Sequence, residues 1–170
     1  VHADLILRGS RPTLPAVLPA PPSVLRHQAS VRHRYVFNDT HDGYNDAYLP
    51  WEDWENQLDL LALHGINEVY VTVGTDAVFL RLLQRYGYGA DELRRWIPDP
   101  AHQPWWVLQN MSGNETPITD AQLARRAALG RRIADRAREL GMVPVLPGYW
   151  GTVPTNFADR NPGAHVVAQD

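Results

Sequence analysis

The sequence predicts an α/β fold that forms the N-terminal portion, about three βα units, of a (β/α)8 TIM-type barrel. Three apolar runs typical of strands alternate with segments of helical periodicity, which indicates a parallel sheet with right-handed crossovers. The 170 residues are too few for a closed barrel, which needs roughly 250. A doubly wound sheet is the structural alternative, and it is disfavoured because neither of the first two strands is followed by a phosphate-binding glycine loop.

A proline-rich segment precedes this pattern. We interpret residues 1–10 as the tail of a preceding small domain and residues 11–30 as a linker, because prolines between Arg11 and Pro22 exclude a helix interior and a central strand. Residues 31–170 are then the first, incomplete part of the barrel. Since the chain starts at Val1 without an initiating methionine, we expect it to be part of a longer polypeptide.

The first βα unit starts at Val31–Asn38, whose β-branched and aromatic residues are typical of a strand. A polar loop follows, and a helix is predicted to begin at Pro50 and to end at Gly65. Apolar residues at helical spacing predict the buried face of this helix, namely Trp51, Trp54, Leu58, Leu61 and Ala62.

The second unit contains a strand over Ile66–Val73 and a helix that Thr75 is expected to cap and Gly87 to end. Helical periodicity is then lost over residues 88–116, apart from a short helical piece at Ala90–Trp96. An insertion of this length in a compact domain is usually functional or disordered, and its tryptophans argue against disorder.

The third unit begins with a capping box, in which Thr119 and Gln122 open a long helix that ends at Gly141. The run M-V-P-V-L-P-G-Y-W-G-T-V-P, from Met142 to Pro154, starts as an apolar segment and is predicted to be a strand buried on both faces. Pro144 removes one hydrogen-bond donor from that strand.

Composition argues against several classes of function. The net charge is −3 and the 16 basic residues, all arginine, form no continuous stripe, so nucleic acid is not an expected partner. No apolar run approaches the ~18 residues of a membrane span. Cysteine is absent, which removes disulfides, zinc–thiolate sites and a thiol nucleophile. No metal or organic cofactor is implied.

Several charged residues receive structural interpretations. Asp76 is interpreted as a first-turn helix acid, and His41 with Asp42 as a turn rather than a metal site. The arginines of the long helix are interpreted as a solvated outer face. These are Arg125, Arg126, Arg131, Arg132, Arg136 and Arg138.

Polar and aromatic residues follow each predicted strand, and the insertion adds more. They are Asn38, His41, Asp42 and Tyr44, then Thr75 and Asp76, then Tyr149 and Trp150, with Trp105, Trp106 and Asn110 from the insertion. In a parallel barrel these positions meet on one face. Amide and carboxylate groups suit vicinal hydroxyls, and flat aromatic rings stack on the apolar face of a pyranose, so the pattern predicts a sugar pocket.

A glycosidase of the common type also needs two carboxylates. No glutamate ends any of the three predicted strands. Only Glu115 is loosely placed for such a role, and it is more readily explained as a loop residue. We therefore assign no catalytic residue to this chain.

Three blocks of residues resemble the α-N-acetylglucosaminidases of glycoside hydrolase family 89. The first, Asn38–Asn67, has an Asn, a Tyr six residues later and a tryptophan-rich helix ending in A-L-x-G-I-N. The second is P-W-W-V-L-Q-N-M with a later proline, between Pro104 and Pro117, and the third is V-P-V-L-P-G-Y-W-G-T-V-P at Val143–Pro154. The resemblance runs from about residue 24 to the end of the chain.

The resemblance implies a (β/α)8 barrel after a small N-terminal domain. It also implies a retaining exo-hydrolase that removes terminal α-linked N-acetylglucosamine, as from heparan sulfate, with two glutamates on strands beyond this chain. Such enzymes act in lysosomes or outside bacterial cells. Carried over by position, the residues lining the terminal-sugar subsite are Asn38, Tyr44, Trp105 and Asn110, with Tyr149 and Trp150 at its rim.

Two other functions remain open at this point. A non-catalytic carbohydrate-binding or pseudoenzyme domain would use the same sugar-binding residues without the distant glutamates. A small doubly wound α/β enzyme would require a switch in strand order rather than a curling sheet.

The isolated 170-residue chain is expected to associate and to be poorly soluble, because a partial barrel exposes an unpaired strand edge and apolar helix faces. Size-exclusion chromatography with light scattering, together with thermal melting, tests this. A monodisperse monomer that melts cooperatively would contradict the incomplete-barrel interpretation.

Overall fold

The computed structural model describes residues 16–17, 20, 22–110 and 116–167. The chain divides into two units, one up to Arg34 and one from Tyr35 onward. Within the first unit, described residues 22–34 form bends and irregular backbone, while the predicted tail at residues 1–10 lies outside the described part. Among the described residues, no helix is long and apolar enough to cross a membrane.

The second unit is built on a three-stranded parallel sheet in the order β1-β2-β3. The strands are β1 (Tyr35–Val36), β2 (Glu68–Tyr70) and β3 (Val143–Val145). Glu68 of β2 lies opposite both Tyr35 and Val143, which aligns the carboxyl ends of all three strands. The predicted βαβαβ order with a parallel sheet is thus present.

Strand β1 is much shorter than the predicted segment 31–38. It ends because Phe37 has a positive φ of 74°, a conformation that a bulky side chain rarely adopts and that breaks the ladder. At its other end, the Arg34 guanidinium donates to the carbonyl oxygen of Val31 at 3.0 Å, which folds the chain locally instead of extending it.

Strand β3 is not buried on both faces as predicted, since Val143 is 59% exposed. It lies at the edge of the described sheet, where burial depends on neighbours rather than on the strand's own sequence. Val143 donates its N–H to Asn67, and Val71 donates to Val145, so alternate residues of β3 bond to β2. The nitrogen of Pro144 faces the other edge, where its missing donor costs the ladder nothing.

Helix α1 (Trp51–Leu63) confirms the predicted buried face. Trp54 and Leu58 are buried against β2, and Trp51, Leu61 and Ala62 pack partly against the same cluster. The helix begins one residue later than expected, with Pro50 as its N-cap. Gly65 ends it at a φ of 78°, as predicted.

The described residues between β2 and β3 form four helices. They are α2 (Thr75–Gln84), α3 (Ala90–Trp96), α4 (Gln103–Val107) and α5 (Asp120–Glu139). Helix α3 confirms the predicted helical piece, whereas α4 was not predicted. Thr75 does not cap α2, because the N-cap position is taken by Gly74 and Thr75 is already helical. A further short helix, α6 (Phe157–Arg160), follows β3.

Helix α5 begins with the predicted capping box. Gln122 donates its backbone N–H to the Thr119 hydroxyl at 3.2 Å, and Thr119 donates its own N–H to the Gln122 side chain at 2.8 Å. The helix ends at Gly141, whose φ is 77°.

The main core lies between the sheet and the helices α1 and α5. Val69, Val71 and Val73 project from β2 and its continuation toward Trp54 and Ile133. A second cluster joins Phe79 of α2 and Trp106 of the insertion to Leu123 of α5. Residues 88–110 of the insertion are therefore packed structure.

Gly130 lets α5 approach the end of β2 very closely. A Cβ at this position would lie 2.0 Å from the carbonyl oxygen of Val73, which is backbone and cannot rotate away. Gly130→Ala is expected to lower the free energy of unfolding by about 3 kcal/mol, the upper part of the range for overpacked sites. Thermal melting of the protein measures the loss.

Gly89→Ala is the matched control for that substitution. Gly89 has a φ of −75°, and a Cβ there would meet nothing within 4 Å. We expect a loss of less than about 1 kcal/mol, because alanine is a poorer N-cap residue than glycine but meets no steric obstacle here. Equal melting temperatures for the two variants would refute the packing argument.

Candidate functional site

The loop after β1 carries the first two candidate residues. Asn38 is exposed, and its side-chain oxygen accepts hydrogen bonds from the backbone N–H groups of Thr40 and His41, each at 3.1 Å. It also accepts from the Thr40 hydroxyl at 2.9 Å. The acceptor half of the Asn38 amide is thus engaged in its own turn, and the NH2 half is the one suited to a ligand.

A π-helical turn (Asp42–Asp46) follows and places Tyr44. Gly43 packs directly on α4, since a Cβ at this position would lie 2.8 Å from Pro104 and 2.9 Å from the carbonyl oxygen of Ala101. Tyr44 is 69% exposed and meets Trp105 edge to face, with ring centroids 5.8 Å apart. The structure therefore brings together two of the predicted site residues, which are 61 positions apart in the chain (105 − 44).

Helix α4 places two neighbouring tryptophans in different surroundings. Trp106 is 5% exposed and lies in the core beside Phe79, whereas Trp105 is only half-buried and faces Tyr44. The helix ends at Gln109, whose positive φ of 64° turns the chain before the exposed Asn110. Asn110 is held through its backbone N–H, which donates to Trp105 at 2.9 Å.

The loop after β3 is joined to the end of α4. The Gln109 side chain donates to the carbonyl oxygen of Trp150 at 3.2 Å, and the Trp150 ring stacks on Phe79 with centroids 6.2 Å apart. Tyr149 is 57% exposed, and burial of its hydroxyl region, with Tyr86 nearby, raises its pKa. Trp150 thus belongs partly to the core, while Tyr149 is the more accessible ring.

Of the six predicted residues, all of them in the described part of the chain, Asn38 shares no side-chain hydrogen bond or ring contact with the other five. Tyr44 and Trp105 form a direct pair, and Asn110 and Trp150 are connected through α4 and Gln109. Each of the six lies in a loop that follows a strand, in α4, or just after α4.

Beneath Tyr44 and Trp105 lies a buried charged junction centred on Arg126. The Arg126 guanidinium donates to Asp76 at 2.7 Å, to Asp42 at 2.9 Å and to the Gln103 side chain at 3.1 Å. All four side chains are buried. Burial disfavours the charged guanidinium, but the two carboxylates outweigh it and raise the pKa of Arg126, which stays cationic.

One interpretation made from the sequence is wrong at this junction, and another is confirmed but incomplete. Arg126 is not part of a solvated outer face, although Arg125, Arg131, Arg132 and Arg138 are exposed. Asp76 does lie in the first turn of α2, but it is 1% exposed and bonded to Arg126.

A signal for both residues was present in the helical spacing. Arg126 falls on the same face of α5 as the buried Leu123, Gly130 and Ile133, and Asp76 falls on the face of α2 that carries Phe79 and Leu83. A charge on a buried helical face indicates a buried partner.

The π-helical turn is also held by Asp46. Its carboxylate accepts from Gln57 at 3.3 Å, and its other oxygen lies 2.5 Å from His41 Nε2 without hydrogen-bond alignment. Burial, assisted by the charge of Asp42, raises the pKa of Asp46 although Gln57 and His41 act in the opposite direction. His41 and Asp42 therefore form part of a turn, and within the described residues no group of three His, Cys, Asp or Glu side chains could hold a metal.

The sheet face opposite the helices carries a second polar contact. The Tyr70 hydroxyl donates a short hydrogen bond to Asp39, next to Asn38, and the Tyr35 ring lies beside Tyr70 with centroids 6.2 Å apart. Burial and the bond to Asp39 raise the pKa of Tyr70. The hydroxyl therefore remains protonated and holds the start of the loop.

A cleft of about 680 Å³ lies elsewhere, between α2, α5 and the loop after β3. It is lined on the helix side of the sheet by Val71 and Val73, and of the six candidate residues only Tyr149 and Trp150 reach it. Because Tyr44, Trp105 and the two candidate asparagines do not line this cleft, we do not assign it to the candidate site.

No glutamate of the described residues lies at the carboxyl end of a strand. Glu68 begins β2, Glu92 lies in α3 and Glu139 ends α5. Glu115 lies outside the described residues.

Residues 34–170 match the family model described as the α-N-acetylglucosaminidase (NAGLU) tim-barrel domain. The chain belongs to this family. Human α-N-acetylglucosaminidase is 32% identical to it over 159 residues, which cover 94% of this chain and 21% of the human protein.

Solved structures of the same family also match this chain. The family 89 glycoside hydrolase from Clostridium perfringens in complex with 2-acetamido-1,2-dideoxynojirmycin matches with a TM-score of 0.85 and 32% identity, covering 92% of this chain and 18% of that chain. A doubly substituted form in complex with its substrate GlcNAc-alpha-1,4-galactose matches with a TM-score of 0.81 and 33% identity, covering 88% and 17%. The parallel sheet and its helices are thus part of a βα barrel, and the chain spans about a fifth of the length of these relatives.

The stability of the fold is expected to depend on the charge of Asp46. Because the folded pKa exceeds the ordinary value of 3.8, the folded state binds more protons just above that pH, and stability falls as pH rises through the folded pKa. In Asp46→Asn this contribution is absent, so its stability relative to wild type should increase between pH 4 and 7. Urea unfolding across that range measures the difference.

The exposed Asp53, in the first turn of α1, supplies the control. Asp53→Asn makes the same chemical change at an exposed carboxylate and shows what the substitution itself does to stability. If Asp46→Asn has the same pH dependence as wild type, the assignment of a raised pKa to Asp46 is wrong.

Proposed function

We propose that the polypeptide containing this chain is an exo-acting retaining glycoside hydrolase that removes terminal α-linked N-acetylglucosamine from glycans such as heparan sulfate. This chain supplies residues of the sugar subsite. The proposal rests on the family membership of residues 34–170 and on the relatives, one of which was solved with GlcNAc-alpha-1,4-galactose as its substrate. In domain terms, residues 31–170 are the first part of the barrel, after a linker at 11–30 and the tail of another domain at 1–10.

The observation that carries the proposal for the subsite is the pairing of Tyr44 with Trp105. Two half-exposed aromatic rings at right angles, 5.8 Å apart, present one flat face and one edge on the side where the strands end. A pyranose stacks its apolar face on such a ring while its hydroxyls remain free for polar groups. Asn38 and Asn110 supply amides on the same loops, and Tyr149 and Trp150 form the rim.

The catalytic carboxylates are proposed to lie in a part of the polypeptide outside this chain. One glutamate would attack the anomeric carbon while the other protonates the leaving oxygen, and the second would then activate water to release the sugar. The residues of this chain would orient the terminal sugar for that attack. Without both glutamates, the same subsite would bind the sugar without cleaving it.

The first test is hydrolysis of a chromogenic α-N-acetylglucosaminide by the whole polypeptide. Trp105→Ala is expected to raise KM roughly tenfold, which corresponds to about 1.4 kcal/mol of lost stacking. Trp105→Phe, which keeps an aromatic face, should recover part of the affinity.

Trp51→Ala is the matched control, since Trp51 is also half-buried but lies on α1 under Arg132, with the guanidinium carbon 3.8 Å from the ring centroid. This control should lower the melting temperature and leave KM unchanged. Binding of the sugar without cleavage by wild type would support a carbohydrate-binding protein instead. If wild type neither binds nor cleaves the sugar, the proposal is refuted.

A further inference from the structure

We propose that Arg126 is a positioning residue of the sugar subsite, which locks the turn carrying Tyr44 to the helix carrying Trp105. The expected effect on sugar binding rests on the proposed function. The positioning role itself is argued from the buried junction alone. Arg126 contacts neither ring. It acts through Asp42, Asp76 and Gln103.

The guanidinium joins three separate segments to α5. Its Nε bonds to Asp76 at the start of α2, and its Nη2 bonds both to Asp42 in the π-helical turn and to Gln103 at the start of α4. Nη1 lies 3.5 Å from the carbonyl oxygen of Ala47, just after the turn. One side chain thus fixes the relative positions of the turn, α2 and α4.

The three segments do not depend on Arg126 equally. Asp76 has other partners, since its carboxylate also accepts from the backbone of Ala77 at 2.8 Å and from Gln103 at 3.0 Å. The other oxygen of Asp42 is buried without a hydrogen-bond partner. Loss of Arg126 would therefore leave Asp42 as an uncompensated buried charge, and the π-helical turn should be released before α2.

Movement of the turn is transmitted to the rings by close packing. Gly43 lies against Pro104 and Ala101, so the turn and the start of α4 cannot shift independently. Tyr44 and Trp105 are the immediate neighbours of Gly43 and Pro104 in sequence. A displacement of about 1 Å in a positioning group can cost on the order of a hundredfold in rate or affinity.

Arginine is required because the planar fork reaches three partners at once. Lysine retains the positive charge but carries its donors on a single nitrogen, so it cannot reproduce the planar fork that reaches Asp76 from one nitrogen and Asp42 and Gln103 from another. Arg126→Lys therefore tests the geometry while keeping the charge. Gln103→Met complements it, because it disconnects only α4 and leaves both carboxylates paired with Arg126.

The experiment compares wild type, Arg126→Lys, Gln103→Met and the control Arg136→Lys in the whole polypeptide. Arg136 lies on the same helix and bonds to Asp59 at 2.7 Å, so its replacement weakens a link between α5 and α1 that does not reach the site. Two readouts are used, namely amide hydrogen exchange and the inhibition constant of 2-acetamido-1,2-dideoxynojirimycin.

We expect Arg126→Lys to accelerate exchange in residues 42–47 and 103–109 relative to α1, and to weaken the inhibitor roughly ten- to a hundredfold. Gln103→Met should accelerate exchange more in residues 103–109 than in residues 42–47, and Arg136→Lys should affect neither segment. Unchanged exchange at both segments would overturn the proposal. So would faster exchange with unchanged inhibition.

Failure of the proposed function has a different signature. If wild type neither cleaves the chromogenic glycoside nor binds the inhibitor, the sugar site itself is refuted. If Arg126→Lys does not fold, the triple variant Arg126→Met with Asp42→Asn and Asp76→Asn removes all three buried charges. Wild-type inhibition in that variant would overturn the proposal, and weakened inhibition would support it.

Discussion

The close approach of α5 to the end of β2 is the constraint on which the rest of the barrel segment depends. At Gly130 the helix backbone touches the carbonyl of Val73, a contact that any side chain would prevent. One turn earlier along α5, the same approach brings Arg126 under the start of α2. The contact between Gly130 and Val73 therefore determines both the packing of the apolar core and the position of the buried Arg126. Through Arg126 it connects the sheet to the candidate site.

Much of the architecture followed from short-range rules. The capping box at Thr119 and the helix ends at Gly65 and Gly141 are set by neighbouring residues, and the structure has them as expected. The burial of β3 could not be predicted this way, because an apolar sequence is compatible with both an edge strand and a central strand of the sheet. Helix α4 was missed because five residues are too few to show a period.

The contact between Tyr44 and Trp105 could be anticipated from the sequence, whereas the charged junction beneath it could not. Parallel strands end together, so Tyr44 and Trp105 were expected on one face, and they touch. Residue type and immediate neighbours do not distinguish Arg126 from Arg125. The distinction arises from which helix face meets the sheet, and the apolar neighbours of Arg126 on that face were the available clue.

The bond between Arg126 and Asp42 also bears on the order of folding. It joins residues 84 positions apart, and the segments between them include α1, β2, α2, α3 and α4. Closing a loop of that length is entropically costly unless the intervening units have already condensed. We therefore expect the bond to form late in folding. The turn beneath Tyr44 then reaches its final conformation only after the surrounding helices have packed.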